Sequence, residues 1–234
     1  MLPKAILFDL DDTILRFSDS GADRWREICL EAGPRLSLSP PTLFDAIRST
    51  ANAFWSSPER TPADRFDFPK SRRRVVKKAF ESLGIDNPKF AVELADLFSA
   101  TREEGIAPFP GAIETLKRLL SKGVRLAMVT NGSGKDQRRK IDRFQLEPYF
   151  EYILIEGEFG VGKPEPIVYE TALNAVEAEP SEAWMVGDSL ENEVAGPQRL
   201  GIHAVWRDNA GRGLPPNSPI QPDRIIRSIA ELLP

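Results

Sequence analysis

The sequence AILFDLDDT occupies residues 5–13 and joins an apolar run directly to a cluster of acids. A short apolar segment of this kind is typical of a central strand in a parallel sheet that is covered on both faces. The carboxyl end of such a strand is where an open α/β sheet places its ligand. A single Asp after a strand often only caps a turn. Three acids within four residues repel one another unless a cation lies among them, so this cluster favours a functional site with a bound divalent metal ion.

Composition limits the possible functions. The chain has 234 residues and a net charge of −4, which gives no electrostatic reason to bind a nucleic acid polymer or an anionic membrane surface. His203 is the only histidine, which leaves few ways to build a His-ligated zinc site or a Ser-His-Asp triad. Cys29 lies on an apolar helical stripe and is expected to be a buried thiol. We find no apolar run long enough to span a membrane and no secretory leader pattern, so we expect a cytoplasmic protein.

Periodicity predicts two domains. Apolar residues between 16 and 105 recur at helical spacing in four segments, which predicts a helical bundle. The turn at residues 108–111, Pro-Phe-Pro-Gly, marks the return to the first domain. Strands and helices then alternate, which predicts a parallel sheet with right-handed crossovers. The expected strands are 124–129, 152–155, 183–186 and 202–205. The expected helices are 112–121, 136–144, one that follows Pro164, and 193–200. A loop at 209–223 is expected to precede a last short strand and helix.

Four groups of polar residues fall at the ends of predicted strands or in the loops that follow. They are Asp9 with Asp11, Thr130 with Asn131, Lys163, and Asp188. Taken singly, each has an ordinary structural explanation, because Thr-Asn-Gly is a common turn and most lysines are solvated. Carboxyl ends of parallel strands meet at one edge of a sheet, so we expect these groups to converge on one site.

The same residues resemble a known family. The segments DLDDT at 9–13, VTNG at 129–132, GKPEP at 162–166 with Tyr169, and GDSLENE at 187–193 resemble the four ordered motifs of the haloacid dehalogenase-like superfamily, in its phosphatase branch. The resemblance implies an α/β fold with a Rossmann-like parallel sheet of order 5-4-1-2-3 and helices on both faces. It assigns residues 1–15 and 106–234 to this catalytic core, and residues 16–105 to a small all-helical cap domain.

The resemblance also implies roles for the motif residues. Asp9 would be the nucleophile that forms an aspartyl phosphate, and Asp11 would protonate the leaving alcohol and then activate water. The expected cofactor is Mg²⁺, held by the carboxylates of Asp9 and Asp188 and by the main-chain carbonyl of Asp11. Thr130 and the Asn131 region would bind phosphoryl oxygens, and Lys163 would supply positive charge.

Two positions require separate interpretation. Relatives often carry Asp where this chain has Glu193, so we expect Glu193 to lie behind the metal ligands at most, with a solvated acid on a helix face as the equal alternative. Arg72 lies in the middle of the apolar stripe of its predicted helix, one turn before Val75. A cation there must reach water or meet an anion, so we predict that Arg72 points into the interdomain cleft and holds a charged leaving group. We expect Trp25, Phe54 and Trp55 to form bundle core and not a base-stacking platform.

These observations predict a Mg²⁺-dependent phosphoric monoester hydrolase. Its expected partner is a small phosphate ester, namely a sugar phosphate, phosphoglycolate or a nucleoside monophosphate, and the expected assembly is a monomer or homodimer. The resemblance implies that Asp11 disfavours haloacid dehalogenation and phosphonate cleavage, because those leaving groups do not need its proton. A phosphomutase of the sugar-phosphate type and a catalytically idle binding protein on the same fold remain as alternatives.

Overall fold

A computed structural model of the protein describes residues 2–57 and 67–234. The chain divides into two compact units, one formed by the residues up to Arg16 together with those from Ala107 onward, and one formed by Phe17–Ile106. None of the helices in the described ranges is both long enough and apolar enough to cross a membrane.

The first unit contains a parallel sheet of six strands in the order β5-β4-β1-β6-β7-β8 and a separate two-stranded ribbon, β2 with β3. In the ribbon, Leu15 pairs with Pro108 and Arg16 pairs with Ala107, so the chain leaves this unit and returns to it through neighbouring antiparallel strands. The strands are β1 (Ala5–Phe8), β2 (Leu15–Arg16), β3 (Ala107–Pro108), β4 (Arg125–Thr130), β5 (Tyr152–Ile155), β6 (Ala183–Gly187), β7 (His203–Arg207) and β8 (Arg224–Ile226).

The predicted α/β fold with a Rossmann-like core is confirmed. Five of the strands have the predicted order 5-4-1-2-3, which corresponds to β7-β6-β1-β4-β5 when the core strands are numbered along the chain. The structure corrects the size of the sheet, because β8 pairs in parallel with β7, with Trp206 opposite Ile225, and adds a sixth strand at that edge. β8 is the short strand expected after the loop at 209–223.

Strand β1 lies at the centre because all four of its residues are apolar and fully buried. It pairs in parallel with β4 on one side and with β6 on the other. Leu7, Val129 and Met185 from these three strands pack with Val168 and Tyr169 of the helix at Pro166–Ala175. Each fully buried side chain of this size contributes roughly 1.5–3 kcal/mol relative to exposure, so the core fixes β1 and the loop that follows it.

Nine α-helices are assigned within the described residues. They are α1 (Ser18–Arg35), α2 (Pro40–Ser56), α3 (Phe68–Ser82), α4 (Pro88–Thr101), α5 (Ala112–Ser121), α6 (Gly134–Arg143), α7 (Glu156–Phe159), α8 (Pro166–Ala175) and α9 (Gly196–Gln198). The helices α1 to α4 build the second unit around their own apolar core, in which Cys29 is fully buried as expected. Burial raises the pKa of this thiol to about 12, which removes it as a nucleophile at neutral pH.

The helix predicted over 193–200 is present, but it begins at Leu190, ends at Gln198 and is not a regular α-helix throughout. Leu190–Ala195 forms a wide π-helical turn, and α9 follows it. Ser189 begins the turn by accepting a hydrogen bond at Oγ from the main-chain N–H of Asn192, at 3.3 Å. The wider turn is accompanied by an inward orientation of the Glu193 side chain, whose Oε2 accepts a hydrogen bond from the N–H of Ser189 at 2.7 Å.

Candidate active site

The carboxylate of Asp9 is fixed at the end of β1. The main-chain N–H of Asp9 donates to the carbonyl of Val186 at 2.9 Å and so continues the pairing between β1 and β6. Asp9 is 7% exposed, and each of its carboxylate oxygens has a partner. Oδ1 accepts from Lys163 Nζ at 2.6 Å, and Oδ2 accepts from Thr13 Oγ1 at 3.2 Å.

Lys163 lies between two buried carboxylates. Besides Asp9, its Nζ contacts Glu193 Oε1 at 2.7 Å, and the side chains of Lys163 and Glu193 are 1% and 2% exposed. Burial alone lowers the pKa of Lys163, but the charges of Asp9 and Glu193 raise it overall, so the ammonium form is retained. Glu193 is therefore not a solvated acid on a helix face, and the structure corrects that alternative.

The remaining acids leave the site with excess negative charge. Burial raises the pKa of Asp9 to about 7; the charge of Lys163 opposes this rise, and those of Glu193 and Asp11 add to it. Burial and then the neighbouring charges of Asp9 and Glu193 raise the pKa of Asp188 to about 8. Two carboxylates that resist ionisation in this way are suited to a divalent cation, which stabilises both in the charged form.

The donor types at the site are compatible with Mg²⁺. Mg²⁺ is normally held by one or two carboxylates and several waters, together with substrate phosphate. Asp9 and Asp188 are carboxylates of this kind. Within residues 2–57 and 67–234, no group of three or more His, Cys, Asp or Glu side chains is placed to hold a metal ion by itself.

The loop after β1 is held by the last residue of strand β7 and by the loop that follows that strand. Asp12 has a φ of 58°, in the left-handed region that a residue with a Cβ adopts at some cost. Its carbonyl accepts hydrogen bonds from Arg207 Nη1 at 2.6 Å and from Asn209 Nδ2 at 2.7 Å. These contacts maintain the turn that places Asp9 and Asp11 at the same edge of the sheet.

Asn131 positions Lys163 through its side-chain amide. Asn131 Nδ2 donates to the Lys163 carbonyl, and Asn131 Oδ1 accepts from the Lys163 N–H, both at 2.8 Å. A Cβ on Gly162 would lie 2.7 Å from Asn131 Oδ1, so this close approach requires glycine. The N–H of Gly132 donates to Glu156 Oε2 at 2.9 Å. Binding of phosphoryl oxygens by Thr130 and the Asn131 main chain stays a prediction.

Two residues that the motif analysis missed surround Asp11. Lys140 Nζ lies 2.7 Å from Asp11 Oδ1 and 2.5 Å from Oδ2, and its side chain is 6% exposed. Gln137 Nε2 donates to Thr130 Oγ1 at 2.6 Å and to Asp11 Oδ2 at 3.2 Å. Gln137, Lys140 and Ile141 lie on one face of α6 and all are buried. Their spacing is that of one helix face, but Ile141 is the only apolar side chain of α6, so little in the sequence indicates that this face is buried.

Arg72 lies on α3 within the helical unit. Its Nη1 donates to Ser99 Oγ at 3.2 Å, and its guanidinium group lies over the rings of Phe68 and Phe98. Trp25 stacks on Phe98 with ring centroids 4.4 Å apart, and Phe54 meets Trp55 edge to face. A contact between Arg72 and a leaving group stays a prediction.

The sheet and its helical insert define an α/β protein of the Rossmann-like class, with a buried Asp9–Lys163 pair at the end of its central strand. The chain belongs to the haloacid dehalogenase-like hydrolase family, whose model matches residues 3–201. It is 33% identical to a phosphoserine phosphatase of Thermus thermophilus over 98% of this chain and 97% of that protein. It is 31% identical to a glyceraldehyde 3-phosphate phosphatase of Pyrococcus furiosus over 87% of this chain and 80% of that protein.

Solved structures of the family share the fold. The HAD-hydrolase YfnB of Bacillus subtilis, crystallised with magnesium, aligns with a TM-score of 0.75 and 22% identity over 99% of this chain and 97% of its own. A 2-haloacid dehalogenase of Pseudomonas syringae aligns with a TM-score of 0.59 and 28% identity, over 99% and 96% of the two chains. The family prediction is thereby confirmed, and the phosphatase relatives confirm the enzyme class, a phosphoric monoester hydrolase.

Proposed function

We propose that the chain is a Mg²⁺-dependent phosphatase that hydrolyses a small phosphorylated metabolite through an aspartyl phosphate on Asp9. The observation that carries this proposal is the pair formed by the buried Asp9 carboxylate and Lys163 Nζ, 2.6 Å apart at the carboxyl end of the central strand. A carboxylate held in place beside an ammonium group is suited to attack phosphorus and to tolerate the dianionic substrate.

In the first step, a carboxylate oxygen of Asp9 forms a bond to phosphorus as the bond from phosphorus to the ester oxygen breaks. Asp11, two residues further on, donates a proton to that oxygen so that it leaves as a neutral alcohol. Lys163 and the Thr130 hydroxyl offset the negative charge on the transferring phosphoryl group.

In the second step, water attacks the phosphorus of the aspartyl phosphate. Asp11, now ionised, accepts a proton from this water, and the carboxylate of Asp9 is released together with inorganic phosphate. Asp11 thus ends the cycle protonated, as it began, and no further reactant is needed.

Mg²⁺ would be held by the carboxylates of Asp9 and Asp188 and by the main-chain carbonyl of Asp11. When bound, it supplies positive charge that reduces the repulsion between these carboxylates and the substrate phosphate. The raised pKa values of Asp9 and Asp188 support this assignment, because burial first and the neighbouring acids second disfavour the ionised carboxylates, and a bound cation would offset both effects.

The relatives support a small metabolite as the substrate. Phosphoserine and glyceraldehyde 3-phosphate, named for two of them, are both short phosphorylated molecules. Sugar phosphates, phosphoglycolate and nucleoside monophosphates form the panel to be compared. A hexose 1-phosphate belongs in that panel, since a phosphomutase yields the 6-phosphate isomer where a phosphatase yields free phosphate.

The test is hydrolysis of a chromogenic phosphate ester by wild type and by Asp9→Asn, with Mg²⁺ and with EDTA. We expect EDTA to stop turnover and Asp9→Asn to lower kcat by about 10⁴-fold or more, as loss of a nucleophile does. Asp45→Asn is the matched control, because Asp45 is 62% exposed and pairs only with Arg48 among the ion pairs of the described residues. Activity of Asp9→Asn within about tenfold of wild type would exclude Asp9 as the nucleophile.

A further inference from the structure

Asn131 and Gly132 form the only Asn-Gly pair in the sequence, and they lie in the loop between β4 and α6. In such a pair the main-chain nitrogen of the glycine can attack the side-chain amide of the asparagine, because glycine has no Cβ to hinder the approach. The sequence therefore places a chemically labile bond among the residues of the proposed site.

Loss of this amide proceeds through a cyclic succinimide. The nitrogen of Gly132 forms a bond to Cγ of Asn131 as the bond from Cγ to Nδ2 breaks, and the proton of the Gly132 N–H leaves with ammonia. Water then opens the ring at either carbonyl, which yields aspartate or isoaspartate at this position. The first step requires the Asn131 side chain and the Gly132 nitrogen to turn towards each other.

Hydrogen bonds hold both reacting groups in place. Asn131 Nδ2 and Oδ1 each make a hydrogen bond of 2.8 Å with the main chain of Lys163. The Gly132 N–H donates to Oε2 of Glu156 at 2.9 Å, and the Gly132 carbonyl accepts from the N–H of Gly157, also at 2.9 Å. Glu156 is buried, so water is a poor substitute for this acceptor. A carboxylate is too weak a base to deprotonate a main-chain amide, so this hydrogen bond restrains the nitrogen and does not activate it.

We propose that Asn131 is a deamidation site, which the fold keeps unreacted by holding its side chain on Lys163 and the Gly132 N–H on Glu156. Aspartate lacks the Nδ2 donor and turns an oxygen towards the carbonyl of Lys163, and isoaspartate also lengthens the main chain. Modification therefore removes contacts that place Lys163 beside Asp9. This chemistry does not depend on the function proposed above.

The first measurement compares the folded chain with the unfolded chain. Wild type is incubated at mildly alkaline pH in buffer and in guanidinium chloride, and peptide mapping by mass spectrometry follows aspartate and isoaspartate at each asparagine. We expect Asn131 to react faster than the other asparagines in the unfolded chain. In the folded protein it should react at least about tenfold more slowly, because reaction there requires local opening. Equal rates in the two states would overturn the proposal without the need for any variant.

Substitutions of Glu156 test its hydrogen bond to Gly132. Glu156→Ala should raise the rate at Asn131 in the folded protein about tenfold, the usual effect of losing a hydrogen bond to a charged group. Glu156→Gln keeps an oxygen that can accept from the Gly132 N–H, so its rate should stay within about threefold of wild type. Glu158→Ala is the control and should leave the rate unchanged, because Glu158 is an exposed acid on the same helix that pairs with Arg138.

Asn131→Asp reproduces one product directly. It should lower Tm by about 2–8 °C through loss of the hydrogen bond to Lys163. Asn217→Asp, at an exposed loop position, should change Tm by less than about 2 °C. An unaltered rate at Asn131 in folded Glu156→Ala, equal rates in Glu156→Ala and Glu156→Gln, or an unchanged Tm in Asn131→Asp would overturn the proposal, whether or not the protein hydrolyses phosphate esters.

Discussion

The side chain of Asp11, the proposed general acid and base, is held by residues outside the four motifs. Its carboxylate contacts Lys140 through both oxygens and Gln137 through one of them. Because Gln137 also contacts Thr130, one helix face connects the proposed acid to the proposed phosphate-binding residue. Lys140 and Gln137 are positioning residues in this arrangement, and their effect is expected to be on the proton transfer alone.

Lys140→Met should therefore impair the step in which the leaving group takes its proton. We expect kcat/KM for an alkyl phosphate to fall about tenfold, since misplacement of a general acid costs part of its contribution of roughly 10²–10⁴. For p-nitrophenyl phosphate, whose leaving group needs no proton, kcat/KM should change less than threefold. The measurement is kcat/KM for both esters on the same preparation, because kcat/KM excludes the second step, in which Asp11 activates water for either ester.

Lys135→Met provides the comparison, because Lys135 is an exposed lysine on the same helix. It should leave both rates unchanged. An equal loss for the two esters in Lys140→Met would indicate a general disturbance of the site and contradict a role that acts through Asp11.

Among the secondary-structure elements, the wide turn at Leu190–Ala195 has the most direct effect on the site. This turn directs the Glu193 side chain inward to Lys163. Gly187, at the end of β6, has no side chain and so leaves room for the side chain of Glu193. A Cβ on Gly187 would lie 2.0 Å from Glu193 Cγ, and this side chain cannot move without breaking its contacts with Lys163 and Ser189.

Gly187→Ala should therefore reduce both stability and activity. We expect the free energy of unfolding to fall by about 1–3 kcal/mol, the usual cost of overpacking, and kcat to fall about tenfold as Lys163 shifts. Denaturant unfolding measures the change in stability, and a kcat measurement tests the change in activity. Gly84→Ala is the control, since its Cβ would meet nothing within 4 Å and only the left-handed backbone opposes it, at roughly 1 kcal/mol. An unchanged kcat in Gly187→Ala would show that the turn does not position Lys163.

The sequence predicted the elements with strong local patterns and missed those decided by tertiary contacts. The strands β1 and β5 are found at their predicted bounds. A short apolar run between turns is typical of a buried strand, and its length excludes a long helix. The turn at Leu190–Ala195 departs from a regular helix because a buried Glu193 must reach Lys163, a partner 30 residues away that no local pattern reveals. The role of Lys140 could not be predicted from the sequence either, because its partner Asp11 lies far away along the chain and is close only in the folded protein.

At the scale of the whole molecule, the balance of charge within the site matters for folding as well as for chemistry. The buried cluster contains three acids and one base, which are Asp9, Asp188, Glu193 and Lys163. Its net charge is −2 when all four side chains are ionised. A divalent cation neutralises this charge. Without metal, the raised pKa values of Asp9 and Asp188 favour protonation of these acids, which would relieve part of this charge.

Stability without metal should accordingly fall as pH rises. The pKa values of Asp9 and Asp188 are about 7 and about 8 in the folded protein and near the ordinary 3.8 when it unfolds. Between these values the folded state binds more protons than the unfolded state, so the free energy of unfolding decreases with pH. In EDTA, we expect Tm to be several degrees lower at pH 8 than at pH 5.5, since about 1 kcal/mol shifts Tm by roughly 2–4 °C in a chain of this size.

Mg²⁺ should raise Tm more at pH 8 than at pH 5.5, because protons compete with the metal for the same carboxylates. Asp188→Asn should flatten the pH dependence in EDTA and diminish the response to Mg²⁺. A Tm in EDTA that stays constant or rises between these two pH values would show that the two acids are not held protonated by the fold.

The two-stranded ribbon that pairs Leu15 with Pro108 and Arg16 with Ala107 has a consequence for evolution. Both ends of the 17–106 insert leave the sheet-containing unit side by side, so an exchange of this whole segment between relatives alters no hydrogen bond among the six parallel strands. Recombination can therefore transfer the whole helical unit in a single event, while the residues around Asp9 and Lys163 are inherited unchanged from the other parent.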